Sequence, residues 1–314
     1  MIKSCRYQKV NLSGENQIPP RPLDPLTTSS NGFTLVELLI AVLISSILII
    51  QIYNFFDYQQ RNYALQDQLV EVQQNLRVAT DTLSRDLRTA GYGVPSAATP
   101  NAIVKIISAT EKSITFLANL SDVHTELASD YTSGGTTISV NLRDGFKNNK
   151  TIYITDGNTW DEATTSISGE LEEPGPLTIT PVVTNPSHIY PAGSTVHVVN
   201  TVTYTIDTTD KELTRDMNDG SGAQPICNNI DYLHFKYYDG SNNILTNPSP
   251  YTGVSLSSSQ KSSVRKISIL LIGKITRQEK GHTESGTYEN GTSYSDGYHR
   301  TKLQTDIMLR NLAY

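Results

Sequence analysis

The first pattern along the chain is one long apolar run. Residues 33–56 read FTLVELLIAVLISSILIIQIYNFF, and the nineteen residues from Leu38 to Phe56 carry no charge. As a helix rising about 1.5 Å per residue, those nineteen cover roughly 28 Å, close to the thickness of a bilayer core. The core helix of a soluble protein seldom runs so long without a charged face. The pattern therefore predicts a membrane-spanning helix at 33–56.

The second pattern is an amphipathic extension of the same helix through 57–93. No Gly or Pro occurs from Phe33 to Ala90, and Gly91, Gly93 and Pro95 follow as stop signals. A stripe of this spacing suits a coiled coil, but the long chain that follows favours packing on a globular domain. The apolar positions recur every three or four residues: Leu65, Leu69, Val72, Leu76, Ala79, Leu83, Leu87 and Ala90.

The third pattern is short, β-branched runs separated by turn residues over 94–314. It predicts an α+β fold, in which the long N-terminal helix packs on a large antiparallel β-rich domain. Hairpin turns are expected at Asp207–Lys211 and Tyr238–Ser241. The predicted strands are Ala102–Ile107, Ser113–Leu117, Thr136–Leu142, Thr151–Thr155, Leu177–Val183, Thr195–Ile206, Ile230–Tyr238, Val264–Thr276 and Thr305–Leu309.

Two polar segments interrupt these runs, Leu120–Gly135 and Gly281–His299, and both are predicted to be mobile. The second is a long loop between candidate strands, and loops of that length are uncommon. An exposed flexible loop is the simpler interpretation. The alternative is a surface in which Tyr288, Tyr294 and Tyr298 contact a neighbouring subunit.

Composition narrows the function classes. The chain has 25 basic and 31 acidic residues, a net charge of -6, which argues against nucleic-acid binding by phosphate neutralisation. Two cysteines, Cys5 and Cys227, exclude a disulfide scaffold, and Cys227 is expected to be a buried thiol or an intermolecular contact. No catalytic motif or His pair of metal-binding spacing occurs, so no catalytic residue, cofactor or metal is predicted. The stretch 216–222 lacks the full ligand set of a calcium loop and reads as a polar turn.

The flanks of the apolar run predict its orientation. Residues 1–32 hold four basic and two acidic side chains. By the positive-inside rule this end stays in the cytoplasm and residues 57–314 lie outside. The residues after the run offer no small-x-small site for removal of a secretory signal.

Glu37 lies inside the apolar run, where a plain anchor needs no charge. A carboxylate in a membrane helix costs about 2.5–3.5 kcal/mol on insertion scales. Either Glu37 reaches the headgroups, or it pairs with a cation after assembly, when each charge offsets the burial of the other.

Residues 31–41, NGFTLVELLIA, resemble the cleavage and methylation signal of type IV prepilins and type II secretion pseudopilins. The resemblance implies that a prepilin peptidase cuts after Gly32 and that Phe33 becomes the N-methylated first residue. Glu37, as the fifth mature residue, would neutralise the N-terminal amine of a neighbouring subunit. Implied partners are the inner membrane and other minor and major pilins.

The segment 83–93, LSRDLRTAGYG, resembles the helix end of PilW-like minor pilins and, less closely, of J-type pseudopilins. Together, the two resemblances imply a leader at 1–32, an assembly helix at 33–56, its extension at 57–93 and a β-rich domain at 94–314. The leading expectation is a minor pilin near the tip of a type IV pilus that primes assembly. The alternatives are a J-type pseudopilin of a type II secretion system and a membrane-anchored enzyme or receptor.

Overall fold

The computed structural model describes residues 32–97, 101–167, 175–245 and 253–312. The chain forms two compact units, Met1–Gln59 and Gln60–Tyr314. One helix, α1, spans Leu35–Arg88 and contributes residues to both. In the first unit the structure describes the N-terminal part of α1 and the three residues before it.

The second unit is antiparallel β-structure around the C-terminal part of α1, as the sequence predicts. Its elements in chain order are β1 Ile106–Ala109, β2 Ser113–Ala118, β3 His124–Glu126, β4 Tyr131–Thr132, β5 Thr137–Val140, β6 Thr151–Thr155, β7 Trp160–Thr165, β8 Gly175–Val182, β9 Ile189–Tyr190, β10 Thr195–Val198, β11 Asn200–Asp207, β12 Glu212–Asp216, β13 Gln224–Cys227, β14 Ile230–Tyr238, β15 Ile244–Leu245, α2 Ser258–Ser263, β16 Lys266–Lys274, β17 Glu284–Thr287, β18 Ser293–Asp296 and β19 Arg300–Met308.

The main core lies between the apolar stripe of α1 and two sheets. These sheets have the strand orders β15-β14-β16-β19 and β1-β2-β11-β12-β13. Every stripe residue from Val72 to Ala90 is buried there, and Leu65 and Leu69 pack against its margin. This confirms packing against the domain over a coiled coil. The strand side of the core includes Phe116, Tyr204, Phe235, Ile267, Ile269 and Leu271.

The helix packs closely on β16 at Gly273. A Cβ atom at this position would lie 2.5 Å from Cγ1 of Val72 and 3.3 Å from Cγ of Leu76. Only hydrogen at this position leaves room for the helix, so the glycine sets how near α1 packs on the strand.

A buried ion pair fastens the end of α1 to the sheet. Asp86 is 3% exposed, and its Oδ2 accepts hydrogen bonds from the Tyr204 hydroxyl at 2.6 Å and from Nη1 of Arg215 at 2.9 Å. Burial and the hydrogen bond to Asp86 raise the pKa of Tyr204, so its hydroxyl remains a donor. Helical structure ends at Arg88, and Gly91, with φ +83°, donates its backbone N–H to Leu117.

A second core belongs to a segment inserted between two paired strands. Ala118 of β2 lies opposite Asn200 of β11, so residues 119–199 leave and re-enter the sheet at adjacent positions. Strands β3 to β10 all fall in this insertion, and six of them form a sheet of order β3-β10-β6-β7-β8-β5. Their core includes Leu127, Ile138, Ile152, Ile154, Leu177, Tyr190 and Val196. A small cluster around Trp160 and Val199 borders it.

Several predicted strand boundaries are wrong. The single strand expected at Thr195–Ile206 is two strands in different sheets, since β10 pairs with β6 up to Val198 and β11 pairs with β2 from Asn200. Of Ala102–Ile107, only Ile106 and Ile107 are in a strand. Strands β7, β12 and β13 were not predicted, since WDEATT, ELTRD and QPIC lack a long β-branched run. Both predicted hairpin turns are confirmed.

The two polar segments predicted to be mobile contain regular secondary structure. Leu120–Gly135 contributes β3 and β4, and Leu127 and Tyr131 in it are buried. Gly281–His299 forms the hairpin β17–β18, in which the Tyr294 ring packs over Gly286. Backbone pairing and the packing of an aromatic ring over a glycine form this structure without an apolar run in the sequence.

Cys227 is a free, half-buried thiol at the end of β13, so it is less buried than expected. Burial raises the pKa of this thiol to about 11. The 216–222 stretch is a polar turn, in which Asp216 and Asp219 each accept a backbone N–H from two residues ahead.

Candidate processing and assembly segment

The residues around the predicted cleavage point form a helix N-terminus. Oε2 of Glu37 accepts hydrogen bonds from the backbone N–H of Thr34 at 2.9 Å and from its hydroxyl at 3.0 Å. The Thr34 hydroxyl in turn accepts the backbone N–H of Glu37 at 3.2 Å. This reciprocal pattern is a capping box, which satisfies N–H groups that the first turn leaves free. Glu37 therefore has a structural role within its own chain.

The charge of Glu37 does not by itself reveal this cap, although the spacing T-x-x-E before an apolar run is its usual signature. Thr34 therefore belongs to the site, because it donates to the Glu37 carboxylate. Any intermolecular pairing of Glu37 would use this same carboxylate.

The peptide bond after Gly32 lies in an exposed, non-helical stretch. A Cβ atom at Gly32 would meet nothing within 4 Å, and Phe33 is 91% exposed. Exposed, non-helical chain is where proteolytic cleavage concentrates. The cap lies wholly after this bond, so cleavage there would leave the helix N-terminus intact.

The apolar run is exposed along its length. The side chains from Leu35 to Phe56 have no buried member in the structure, although most are Leu, Ile, Val and Phe. One 18-residue window of α1 has a mean hydropathy of 2.6, long and apolar enough to cross a membrane. So large an apolar surface requires a lipid or protein covering.

The tyrosines proposed for subunit contact are largely used within the chain. The Tyr288 ring stacks on Tyr232 at 4.7 Å and lies 4.8 Å from Tyr294, and its hydroxyl donates to Asp231. The Arg300 guanidinium lies 3.9 Å from the centre of the Tyr294 ring.

Arg300 also pairs with Asp296 through two hydrogen bonds of 2.7 Å. The hydrogen bonds from Arg300 lower the pKa of Asp296 to about 2. The hairpin is thus fastened to β14 and β19 by charge and stacking.

Near the base of this hairpin the structure gathers three residues that could hold a metal ion: Glu279, His282 and His299. Their ligand atoms all lie within 4.8 Å of one another. Sequence spacing did not reveal them, because the two histidines are seventeen positions apart and the fold alone brings them together.

Comparison with known proteins identifies the N-terminal segment. Residues 27–50 match the prokaryotic N-terminal methylation motif, and the match includes Gly32, Phe33 and Glu37. No curated protein matches the chain in sequence. Among solved structures, a type IV-like pilin from Thermus thermophilus aligns at 11% identity over 76% of this chain and 97% of its own, with a TM-score of 0.30. A likeness that distant does not bear on function.

The chain thus carries a prokaryotic N-terminal methylation motif at the start of an apolar helix that extends into a large antiparallel β-rich domain, an organisation that fits a type IV pilin-like protein. Pilins and pseudopilins are made as precursors, are processed by a prepilin peptidase and assemble into fibres. The motif supports that general role for this chain.

Proposed function

We propose that the chain is a minor pilin of a type IV pilus, incorporated at or near the fibre tip, where it primes assembly. The observation that carries the proposal is the methylation motif with a carboxylate inside its apolar run. The resemblance of 83–93 to PilW-like minor pilins favours a minor over a major subunit. The function is structural, and its mechanism is packing.

In this proposal residues 1–32 are the leader, and the peptidase cuts after Gly32 and methylates Phe33. Residues 33–56 cross the inner membrane, with residues 57–93 and the β-rich domain outside the cytoplasm. The basic residues of 1–32 support that orientation. In the fibre, the exposed apolar faces between Leu38 and Ile52 would bury against the helices of neighbouring subunits.

Glu37 sets register by pairing with the N-terminal amine of a neighbour. Opposite charges attract far more strongly in a low-dielectric bundle than in water. Since the carboxylate already caps its own helix, pairing requires that its Thr34 hydrogen bonds are shared or exchanged.

The capping box makes a sharp test possible, because Gln also serves at the third position of such a cap. Glu37→Gln keeps the cap and removes the charge, whereas Thr34→Ala removes the capping hydroxyl and keeps the charge. We expect normal processing of Glu37→Gln and Glu37→Ala, with incorporation into sheared pili reduced at least tenfold. Thr34→Ala is expected to assemble.

The matched control is Asp67→Ala, which removes an exposed carboxylate on the same helix outside the apolar run. Its incorporation should equal that of the wild type. Glu37→Gln assembling as well as the wild type would refute the charge pair and leave Glu37 a cap alone.

Mass spectrometry of the N-terminus of protein from its native membrane tests processing directly. The expected product begins at N-methylated Phe33. Gly32→Ala should slow cleavage, and a bulky residue at position 32 should block it. An intact N-terminus in a strain with an active prepilin peptidase would contradict the proposal.

The second candidate is a J-type pseudopilin in the tip complex of a type II secretion system. The same motif serves both systems, and 83–93 also resembles that family. The deletion phenotype separates them. Lost pili and twitching with normal exoprotein secretion select the pilus, and the reverse selects the secretion system.

A further inference from the structure

The segment between β16 and β17 meets the segment between β18 and β19 at the base of the β17–β18 hairpin. Backbone hydrogen bonds join them: Glu279 N–H donates to Gly297, and Ile275 N–H donates to His299. This places His282 and His299 side by side, with their ring centres 3.8 Å apart and their planes within 15°.

Two carboxylates flank the stacked rings. Nε2 of His299 lies 2.6 Å from Oε2 of Glu279, and Nε2 of His282 lies 3.9 Å from Oε2 of Glu284. His282 and Glu284 are each 28% exposed in their side chains, so the cluster is partly shielded from water.

The His282 nitrogen is the unexplained atom of the cluster. Nε2 of His282 is buried, and no hydrogen-bond partner for it exists among the described residues. A buried polar nitrogen without a partner costs about 1–3 kcal/mol in protein stability in general, so such atoms usually have a ligand, a water or an ion.

We propose that Glu279, His282 and His299 bind a divalent transition-metal ion of the zinc class, with Glu284 placed to complete a four-ligand shell. Imidazole and carboxylate ligands suit zinc, whose bonds to them are about 2.0–2.2 Å long. The stacked rings must tilt toward each other for both nitrogens to reach one ion. The ion replaces the His299–Glu279 hydrogen bond and satisfies Nε2 of His282.

The bound ion acts as a structural fastener. The ion ties the segment between β16 and β17 to the segment between β18 and β19, and so fixes the base of the hairpin. This role is independent of prepilin processing, because every ligand lies far from the methylation motif in sequence.

The test is calorimetric titration of the full chain in detergent, free of any histidine tag, with zinc chloride after treatment with a chelator. We expect one zinc per chain and a higher unfolding temperature in zinc than in chelator. Magnesium, which prefers oxygen ligands, should produce neither effect.

His282→Gln and His299→Gln should each weaken zinc binding at least tenfold. The matched control is His124→Gln, which removes an exposed histidine beside Asp122 and stacked on His197. Its zinc binding should equal that of the wild type. Unchanged binding in His299→Gln, or no stoichiometric binding in the wild type, would overturn the assignment.

X-ray absorption of the zinc-loaded wild type keeps the test decisive even if a variant fails to fold. The expected first shell holds two imidazoles and oxygen ligands only. A shell that lacks imidazole, or contains the sulfur of Cys5 or Cys227, would refute the site.

Discussion

Asp86 joins the helix and sheet through one buried carboxylate. Arg215 and Tyr204 both donate to the same oxygen, and the two strands that carry them pair with each other. The exposed fraction of the Asp86 side chain is only 5%, so water cannot replace either donor.

Replacing Asp86 with Ala should lower the free energy of unfolding by about 3–5 kcal/mol, because Arg215 is left without its buried partner. Tyr204→Phe should cost about 1 kcal/mol, since it removes one hydrogen bond and leaves the ion pair. Urea unfolding followed by circular dichroism measures both. Equal losses in the two variants would contradict a dominant role for the charge.

Asp156 gives the insertion a dependence on acid. Burial opposes its ionisation, but hydrogen bonds from the backbone of Thr159 and Asn158 and from His188 outweigh burial and lower its pKa to about 2. In the unfolded chain the pKa is 3.8. Ionised Asp156 therefore stabilises the fold above about pH 4, and that stability is lost as the pH falls toward 2.

Between pH 5 and pH 2 the wild type should lose about 1–2 kcal/mol more stability than Asp156→Asn. The fluorescence of Trp160, the only tryptophan, reports unfolding of the insertion. Asp81→Asn, at an exposed position on α1, is the control and should follow the wild type. Parallel acid profiles for wild type and Asp156→Asn would count against the assignment.

At the scale of elements, the fit of α1 on β16 depends on Gly273. A methyl group there would press on Val72, so Gly273→Ala should cost about 1–3 kcal/mol in unfolding free energy. Gly240→Ala is the matched control, because its nearest neighbour, Cγ of Arg265, would lie 3.8 Å away. Thermal unfolding of both variants decides the point, and an equal shift would rule out a close helix–strand contact.

Elements with a strong apolar period were predictable from sequence. The stripe from Leu65 to Ala90 lies in the main core or packs against it, and strands form at Ile230–Tyr238 and within Val264–Thr276, as their sequences indicate. The strand β12, ELTRD, was not predictable, because its order comes from backbone pairing with β11.

The candidate site was predictable only in part. Gly32, Phe33 and Glu37 stand within a matched motif, but the cap also depends on hydrogen bonds with Thr34, which the charge of Glu37 does not predict. Glu279 and His299 are twenty residues apart, so no local spacing reveals that their side chains meet.

At the scale of the whole molecule, removal of residues 1–32 changes two countable properties. The remaining chain holds 21 basic and 29 acidic residues, and Cys227 is its only cysteine. Thiol titration should find two thiols in the denatured precursor and one in the denatured processed chain. Two thiols in protein recovered from pili would contradict cleavage after Gly32.

The native processed chain should react slowly with thiol reagents at neutral pH, because burial holds the pKa of Cys227 near 11. Its rate should still be rising between pH 8 and pH 10, where an ordinary free cysteine approaches full ionisation. A plateau near pH 9 would show that this thiol is solvated.

The insertion at 119–199 has a consequence for how such a protein can evolve. Its two ends meet at one hydrogen-bonded strand pair, and most of its apolar residues are satisfied by one another. A recombination event that exchanged the insertion would have to preserve two connections to the rest of the chain. These are the strand pair at its two ends and the small cluster around Trp160. An exchange of residues 119–199 would therefore leave the core between α1 and its two sheets in place.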